Sequence, residues 1–412
     1  TTAVWPGVFA AMDHAGFAAN TIQNSVRELN LLDDLVAGAP APRNYACGLG
    51  TIECGYTGST FEGLQLEGVL AALAHPKTLR YGADADHLQV KRADVGLVAA
   101  KRMLAAARHY TFFTIDASDV LDYAALDPAV DAAARCALAM PGAEDRRALL
   151  AYHHDRGLAE PLATRFAAKY AAALAALAVM ARVIADDKAG TLFDLELSID
   201  EHPPEVPAFA CLTGEAELAF VLDELRRRAI PVTHIAPNLG IEKGFDYRHP
   251  SGLAALTERT LALHELAQAH QVMLDIHSAD DLGPRTRDAL RAATDGELHY
   301  KISPSLQLLY AEALRDHHPA LYARWRADAL GYARREADAG SAFAGQCLIG
   351  ADSDESPEQA AFHHYSFAFV GRRDAAGRFI HRHEFYSLSP AFLRDYADRV
   401  HDRLVGLASQ LF

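Results

Sequence analysis

Seven short runs recur along this chain, each rich in β-branched or aromatic residues, each closing on polar side chains and each followed by a helical apolar pattern. They cover residues 19–23, 80–86, 112–116, 195–200, 233–238, 273–277 and 299–303. Parallel strands need a long crossover between them, so this alternation predicts βα units and an α/β fold. The count predicts a (β/α)8 TIM-type barrel one strand short of closure. The chain opens on Thr1-Thr2 and an amphipathic stretch to Met12, which reads as the helix of a first βα unit whose strand would lie upstream. The Gly-rich segment 45–55 is the other source for an eighth strand.

A barrel with insertions commonly reaches the length of this chain, 412 residues. The expected division is a barrel over 1–340, with a helical insertion at about 120–190, and a C-terminal extension over 341–412. The insertion carries an alanine-rich helical pattern over 162–186 and is expected beside the barrel. In the extension, Asp374-Ala375-Ala376-Gly377 between aromatic runs suggests a hairpin or lid before a closing helix.

With 39 Lys plus Arg against 54 Asp plus Glu, the formal charge of −15 disfavours nucleic acid and anionic membranes and favours a small-molecule partner. Homo-oligomer formation stays open. The five cysteines have no CxxC spacing, so neither a disulfide framework nor a thiolate zinc site is expected. No basic-then-apolar leader opens the chain, and its most apolar stretch, 170–181, reads as too short for a bilayer, so a cytoplasmic protein is expected.

Parallel barrels place their chemistry at the C-terminal ends of strands. That filter keeps Gln23, Asp84, Asp86, His87, Asp116, Asp119, Asp200, Glu201, His234, Asn238, Asp275, His277, His299, Lys301 and Ser303. His87, His277 and His299 end three different strands and suit a divalent metal such as zinc, nickel, manganese, cobalt or iron. Each taken alone reads more readily as a solitary core or surface histidine. Asp86 and Glu201 are the expected acid/base pair, while helix capping explains such strand-end acids too. Lys301 shares strand parity with His299, and it suits an oxyanion contact, a Schiff base or a buried salt bridge. Asp116 reads first as a cap and second as a contact to a substrate hydroxyl. A second metal site in the tail at His363, His364, His381 and His383 is the weaker possibility.

Eight segments, in order, resemble the tagaturonate epimerase family: 23–28 (QNSVRE), 82–87 (GADADH), 113–119 (FTIDASD), 198–201 (SIDE), 224–228 (ELRRR), 242–247 (EKGFDY), 275–278 (DIHS) and 298–301 (LHYK). The resemblance implies a metal-dependent barrel that inverts a hexulosonate or ketohexose carbon not adjacent to the ketone. It implies metal ligation by His87, His277 and His299 and acid/base work by Asp86 and Glu201; Gln23, Asp116, Asn238 and Ser278 are the expected substrate contacts. Pro237-Asn238-Leu239-Gly240 stands where a uronate enzyme would be expected to carry an arginine loop, and a neutral amide cannot pair bidentately with a carboxylate. Sugar acid and neutral ketose therefore both stay open. A sugar isomerase or aldolase on the same scaffold, and a sugar-binding barrel without turnover, are the alternative readings.

Overall fold

A computed structural model describes residues 2–23, 29–46, 50–92, 94–201, 206, 208–242, 244–302 and 304–412. Its strands are β1 (Ala19–Gln23), β2 (Arg43–Ala46), β3 (Gly50–Glu53), β4 (Tyr81–Gln89), β5 (Phe112–Asp116), β6 (Asp194–Ser198), β7 (His234–Ala236), β8 (Met273–Ile276) and β9 (His299–Tyr300). Seven of them form one parallel sheet in the order β1-β4-β5-β6-β7-β8-β9. These are the seven runs read from the sequence. The segment considered as an eighth strand does not join them, because β2 and β3 pair antiparallel with each other.

The alternation within the strands explains how the sheet bends. In β6, Leu195 and Leu197 are fully buried, and so are Glu196 and Ser198 on the opposite face. β5 repeats this with Phe113 and Ile115 against Thr114 and Asp116, and β8 with Leu274 and Ile276 against Asp275. Side chains alternate between the two faces of a strand, so one face carries the apolar core under the helices while the other collects charge. Lys301, just past β9, lies 2.7 Å from Asp86 on β4, although four strands separate β9 from β4 in the sheet. The sheet therefore curls until its charged face closes on itself. Among the described residues β9 and β1 do not pair, so the sheet has the seven strands read from the sequence and is curled rather than closed.

The helices follow the curl. Helix Pro390–Leu411 packs against both Pro284–Thr294 and Trp5–Ala15, carrying the helical layer past the two sheet edges. Its start is fixed by Ser389, whose hydroxyl accepts from Phe392 N, with Pro390 at the first helical position, where no N–H is needed. The insertion is better integrated than its sequence suggests. Its long helix, Glu160–Asp187, packs on Asp94–Ala106 and Glu215–Arg227, taking the place of the crossover helix between β5 and β6. Phe166, Tyr170, Leu174, Leu177, Ala181 and Ile184 recur at helical spacing and are all buried. Burying each large apolar side chain contributes roughly 1.5–3 kcal/mol. By length and composition this helix could cross a membrane, which corrects the reading of 170–181 alone, but most of its apolar window is buried inside the fold.

In the extension, the turn at Asp374–Gly377 is closed by an isolated antiparallel bridge between Arg373 and Phe379. It reaches the loops that follow β1 and β3: Arg373 donates to Ala39 O, Arg382 to Gly58 O and Tyr386 to Thr57 O. Cys54, Cys136, Cys211 and Cys347 are buried; Cys47 lies outside the described residues.

Candidate active site

β4 supplies two consecutive side chains to the same place, which a regular strand does not do. Its register against β5 shifts between Ala85 and Leu88, and His87 has φ 49°, in the left-handed region. Two residues of β4 thus oppose one of β5, a bulge that re-aims a side chain. Asp86 turns to Lys301, while His87 turns to Asp116, with Nδ1 3.3 Å from its Oδ2.

Lys301 is the centre of the charged face. Its ammonium lies 2.7 Å from Asp86, 3.0 Å from Glu196, 3.5 Å from Asp84 and 3.8 Å from Asp275, and it donates to the Thr114 hydroxyl. Burial opposes its charge, but Asp84, Asp86, Glu196 and Asp275 hold its pKa well above the ordinary lysine value. The amine thus stays protonated, which disfavours the Schiff-base role and favours charge balance. Asp84 is pushed up to about 7, by burial first, with Asp86 and Glu196 adding to the rise. Asp86 stays below the usual carboxylate range because His87, Lys301 and His277 overcome its burial.

Carboxyl groups outnumber this one ammonium, and the histidines respond. His87 rises to about 9 against its burial, through Asp86, Asp116 and Glu201. His277 also rises against burial, with Nδ1 3.0 Å from Asp200 Oδ2 and Nε2 2.9 Å from Glu196 Oε1. His299 rises as well, with Nδ1 2.8 Å from Asp275 Oδ2. A pocket that draws protons onto three imidazoles is one with too little fixed positive charge.

The expected three-histidine set is not gathered at one point. His87 and His277 meet with ring centroids 4.9 Å apart, whereas His299 lies beyond Asp275, stacked on Phe112 and against His234. Two groups converge tightly enough to hold a metal ion, His87–Asp116–Glu201 and Glu196–Asp275–His299, the candidate ligand atoms of each within 4.8 Å of one another. His277 stands between them, touching Glu196 at 2.9 Å and Asp275 at 3.8 Å. The donor set fits a divalent cation: it mixes imidazole and carboxylate, and Asp275 Oδ1 is buried without a hydrogen-bond partner in the described residues.

The remaining expected residues divide. Glu201 lies beside His87 and Asp116. Asp116 caps the turn after β5, accepting from Ser118 N, and also accepts from Gln89 Nε2, so it orients His87 more than it presents a free acceptor. Ser278 follows His277 at φ 55°, in the turn after β8. Gln23 ends β1, paired in register with Asp84. Asn238, expected as a substrate contact, is buried, and its amide donates to Asp200 O and Cys211 Sγ while accepting from Gly240 N. Ser303 and residues 24–28 lie outside the described residues. In the tail, His363 stacks on His364 and His381 on Phe369, and no tail histidine joins a metal-competent group among the described residues.

Two contributors escape the strand-end filter because they sit inside strands, namely Glu196 and Thr114. A signal for one of them is present, since Glu196 shares parity with Ser198 and Asp200 between two leucines.

The sequence profile of the tagaturonate epimerase family matches residues 52–338. No curated protein matches the chain significantly. Among solved structures, the fold is similar to native fructuronate-tagaturonate epimerase from Cohnella laeviribosi, with 18% identity, a TM-score of 0.69, and coverage of 100% of this chain and 79% of that one. Two glycerol complexes of the same enzyme match at 17% identity and a TM-score of 0.66, one covering 99% of this chain and 77% of its own, the other 99% and 78%.

Proposed function

The chain belongs to the tagaturonate epimerase family, and from that premise we propose that it is a metal-dependent epimerase of a hexulosonate of the tagaturonate/fructuronate type. The observation that carries this reading is the buried, carboxylate-rich cluster around Lys301, flanked by His87, His277 and His299. The ion would be held by His299 with Glu196 and Asp275, or by His87 with Asp116 and Glu201, with His277 placed between the two groups to join either, and it would supply Lewis-acid stabilisation of negative charge developing on the sugar.

The inverted carbon is β to the ketone, so enolisation does not acidify its C–H bond. A retro-aldol route avoids that barrier. Asp86, kept ionised by His87 and Lys301, or Glu201 beside His87, removes the hydroxyl proton on the inverting carbon. The adjacent C–C bond breaks to an enediolate and an aldehyde, the aldehyde turns over, and the bond re-forms as the other carboxyl returns the proton. Lys301 offsets the charge of the enediolate and of its own carboxylate partners. Gln23 and Ser278 are the proposed substrate contacts, while Asp116 acts through His87. A second reading, a neutral ketohexose, is favoured by Asn238, which brings no cation to the loop after β7.

The same proposal carries the finer architecture: a closed (β/α)8 barrel, supported by the helical layer that runs past both sheet edges, with 341–412 as an extension over its mouth. It places the enzyme in the cytoplasm, with small sugars rather than nucleic acid or membranes as partners, and leaves room for a homo-oligomer. The test is 13C NMR of metal-loaded protein in D2O with a panel of hexulosonates and ketohexoses. The expected product is the epimer at the carbon β to the ketone, without deuterium there. Aldose formation, accumulating three-carbon fragments, or no conversion at all would overturn the proposal; stable deuterium at the inverted carbon would overturn the retro-aldol step.

A further inference from the structure

Asp200 and Glu201 are neighbours in sequence but serve different histidines. Asp200 meets His277, and Glu201 groups with His87 and Asp116. In the peptide joining them, the carbonyl of Asp200 accepts from Asn238 Nδ2 at 2.6 Å. Asn238 is itself fixed from every side. Its Nδ2 also meets Cys211 Sγ at 3.3 Å, its Oδ1 accepts from Gly240 N at 2.9 Å, and its backbone exchanges hydrogen bonds with Thr213 at 2.9 Å in both directions. Gly240 has φ 81°, and a Cβ there would come within 2.9 Å of Leu212, so the loop after β7 admits this turn only with glycine. Asp200 is restrained again through its carboxylate, where Ser198 Oγ donates to Oδ1 at 2.6 Å and leaves Oδ2 for His277.

From this arrangement we propose that Asn238 is a positioning residue: by clamping the Asp200–Glu201 peptide to the loops at 211–213 and 238–240, it sets the aim of Asp200 on His277 and of Glu201 toward His87. It acts without touching the sugar. The carbonyl it holds is rigidly coupled to both side chains, because the peptide plane carries the Cα of each residue. Losing the clamp frees that plane to rotate, and groups that orient a ligand or a base from behind typically matter by ~10–100-fold. This inference rests on the proposed roles of His277 and Glu201, but its first readout needs neither metal nor turnover.

The test uses the full-length protein, with Asn238→Ala and Asn238→Asp. Asp keeps the acceptor for Gly240 N but replaces the donors with a buried carboxyl facing the Asp200 carbonyl, so the two variants share only the loss of the clamp, and an unfolding curve on each shows that it is folded. In the metal-free protein with 15N-labelled histidine, the His277 ring signals, assigned through His277→Ala, should move in both variants in the direction they move in Asp200→Ala. On the best substrate of the panel, kcat should fall ~10–100-fold with KM held within about twofold. Unmoved His277 signals overturn the proposal. So does a rise in KM at constant kcat, which would make Asn238 a substrate contact. If the wild-type protein converts no sugar, the epimerase reading fails and the His277 signals still decide the role of Asn238.

Discussion

Two buried charge clusters in this molecule are built oppositely. Around Glu224, in the helix that follows β6, one fully buried carboxylate meets Arg227 at 2.7 Å, Arg228 at 3.1 Å and His153 at 3.1 Å. Around Lys301 one ammonium meets Asp84, Asp86, Glu196 and Asp275. The first is balanced by its own fixed donors, and Glu224 falls to about 2 because His153 and the arginines outweigh its burial. The second carries more carboxyl groups than fixed cations, so Asp84 rises to about 7 and His87 to about 9. Glu224 and its arginines lie in ELRRR, and Asp84 and Asp86 in GADADH, yet of these two clusters the second is the one short of positive charge. A balanced buried cluster reads as architecture; an unbalanced one at strand ends is what the proposed binding site rests on.

Removing the central charge is the harshest way to break the contrast. Lys301→Met leaves the carboxyl groups buried without their counter-ion and should cost ~3–5 kcal/mol in urea unfolding. The deficit should shrink as the pH is lowered and the carboxyl groups take up protons; a variant as stable as wild type at pH 8 would show that Lys301 is not the counter-ion. Turnover should be lost with it.

Glu224→Gln attacks the balanced cluster and should cost ~1.5–3 kcal/mol, the scale of hydrogen bonds to a charged group. Its sign with pH is fixed. A depressed carboxylate contributes stability above its unfolded value of about 4.3, and that contribution is lost as pH falls through about 2. Wild type and variant should therefore converge over that window, while kcat stays unchanged. A fall in kcat would blur the division between the two clusters.

The smallest effect sharpens the contrast. A cation must displace the proton on His87, so apparent Co2+ affinity should rise by about tenfold per pH unit for each proton displaced, up to about pH 9. In the metal-free protein the sign is the reverse. A raised histidine contributes stability that is complete below about 6.5 and lost as pH rises through about 9. Flat Co2+ affinity between pH 6.5 and 8.5 would exclude His87 as a ligand.

Much of the fold and of the charged cluster is legible in the amino-acid sequence. Strand alternation locates all seven parallel strands, because the buried apolar face and the polar ends leave a local pattern. Lys301, Asp86 and His87 are legible as strand-end residues. What stays hidden is non-local. Glu196 and Thr114 matter because the sheet curls, and no local signal says that an interior strand position meets a lysine more than 100 residues later. The bulge at His87 decides which neighbour faces Lys301, and Asn238 reads as a substrate contact because its partners at Asp200 and Cys211 are distant in sequence. The hairpin β2–β3 reads as a barrel candidate because four-residue runs do not declare their partner.

The central claim is that the Lys301 cluster, unlike the Glu224 cluster, is completed by a divalent ion. Metal content after Co2+ loading and desalting, measured on wild type, His277→Ala and Glu224→Gln, tests it most directly. The account predicts a stoichiometric ion in wild type and Glu224→Gln and its loss in His277→Ala; an ion retained in His277→Ala, or none bound by the wild-type protein, would contradict it.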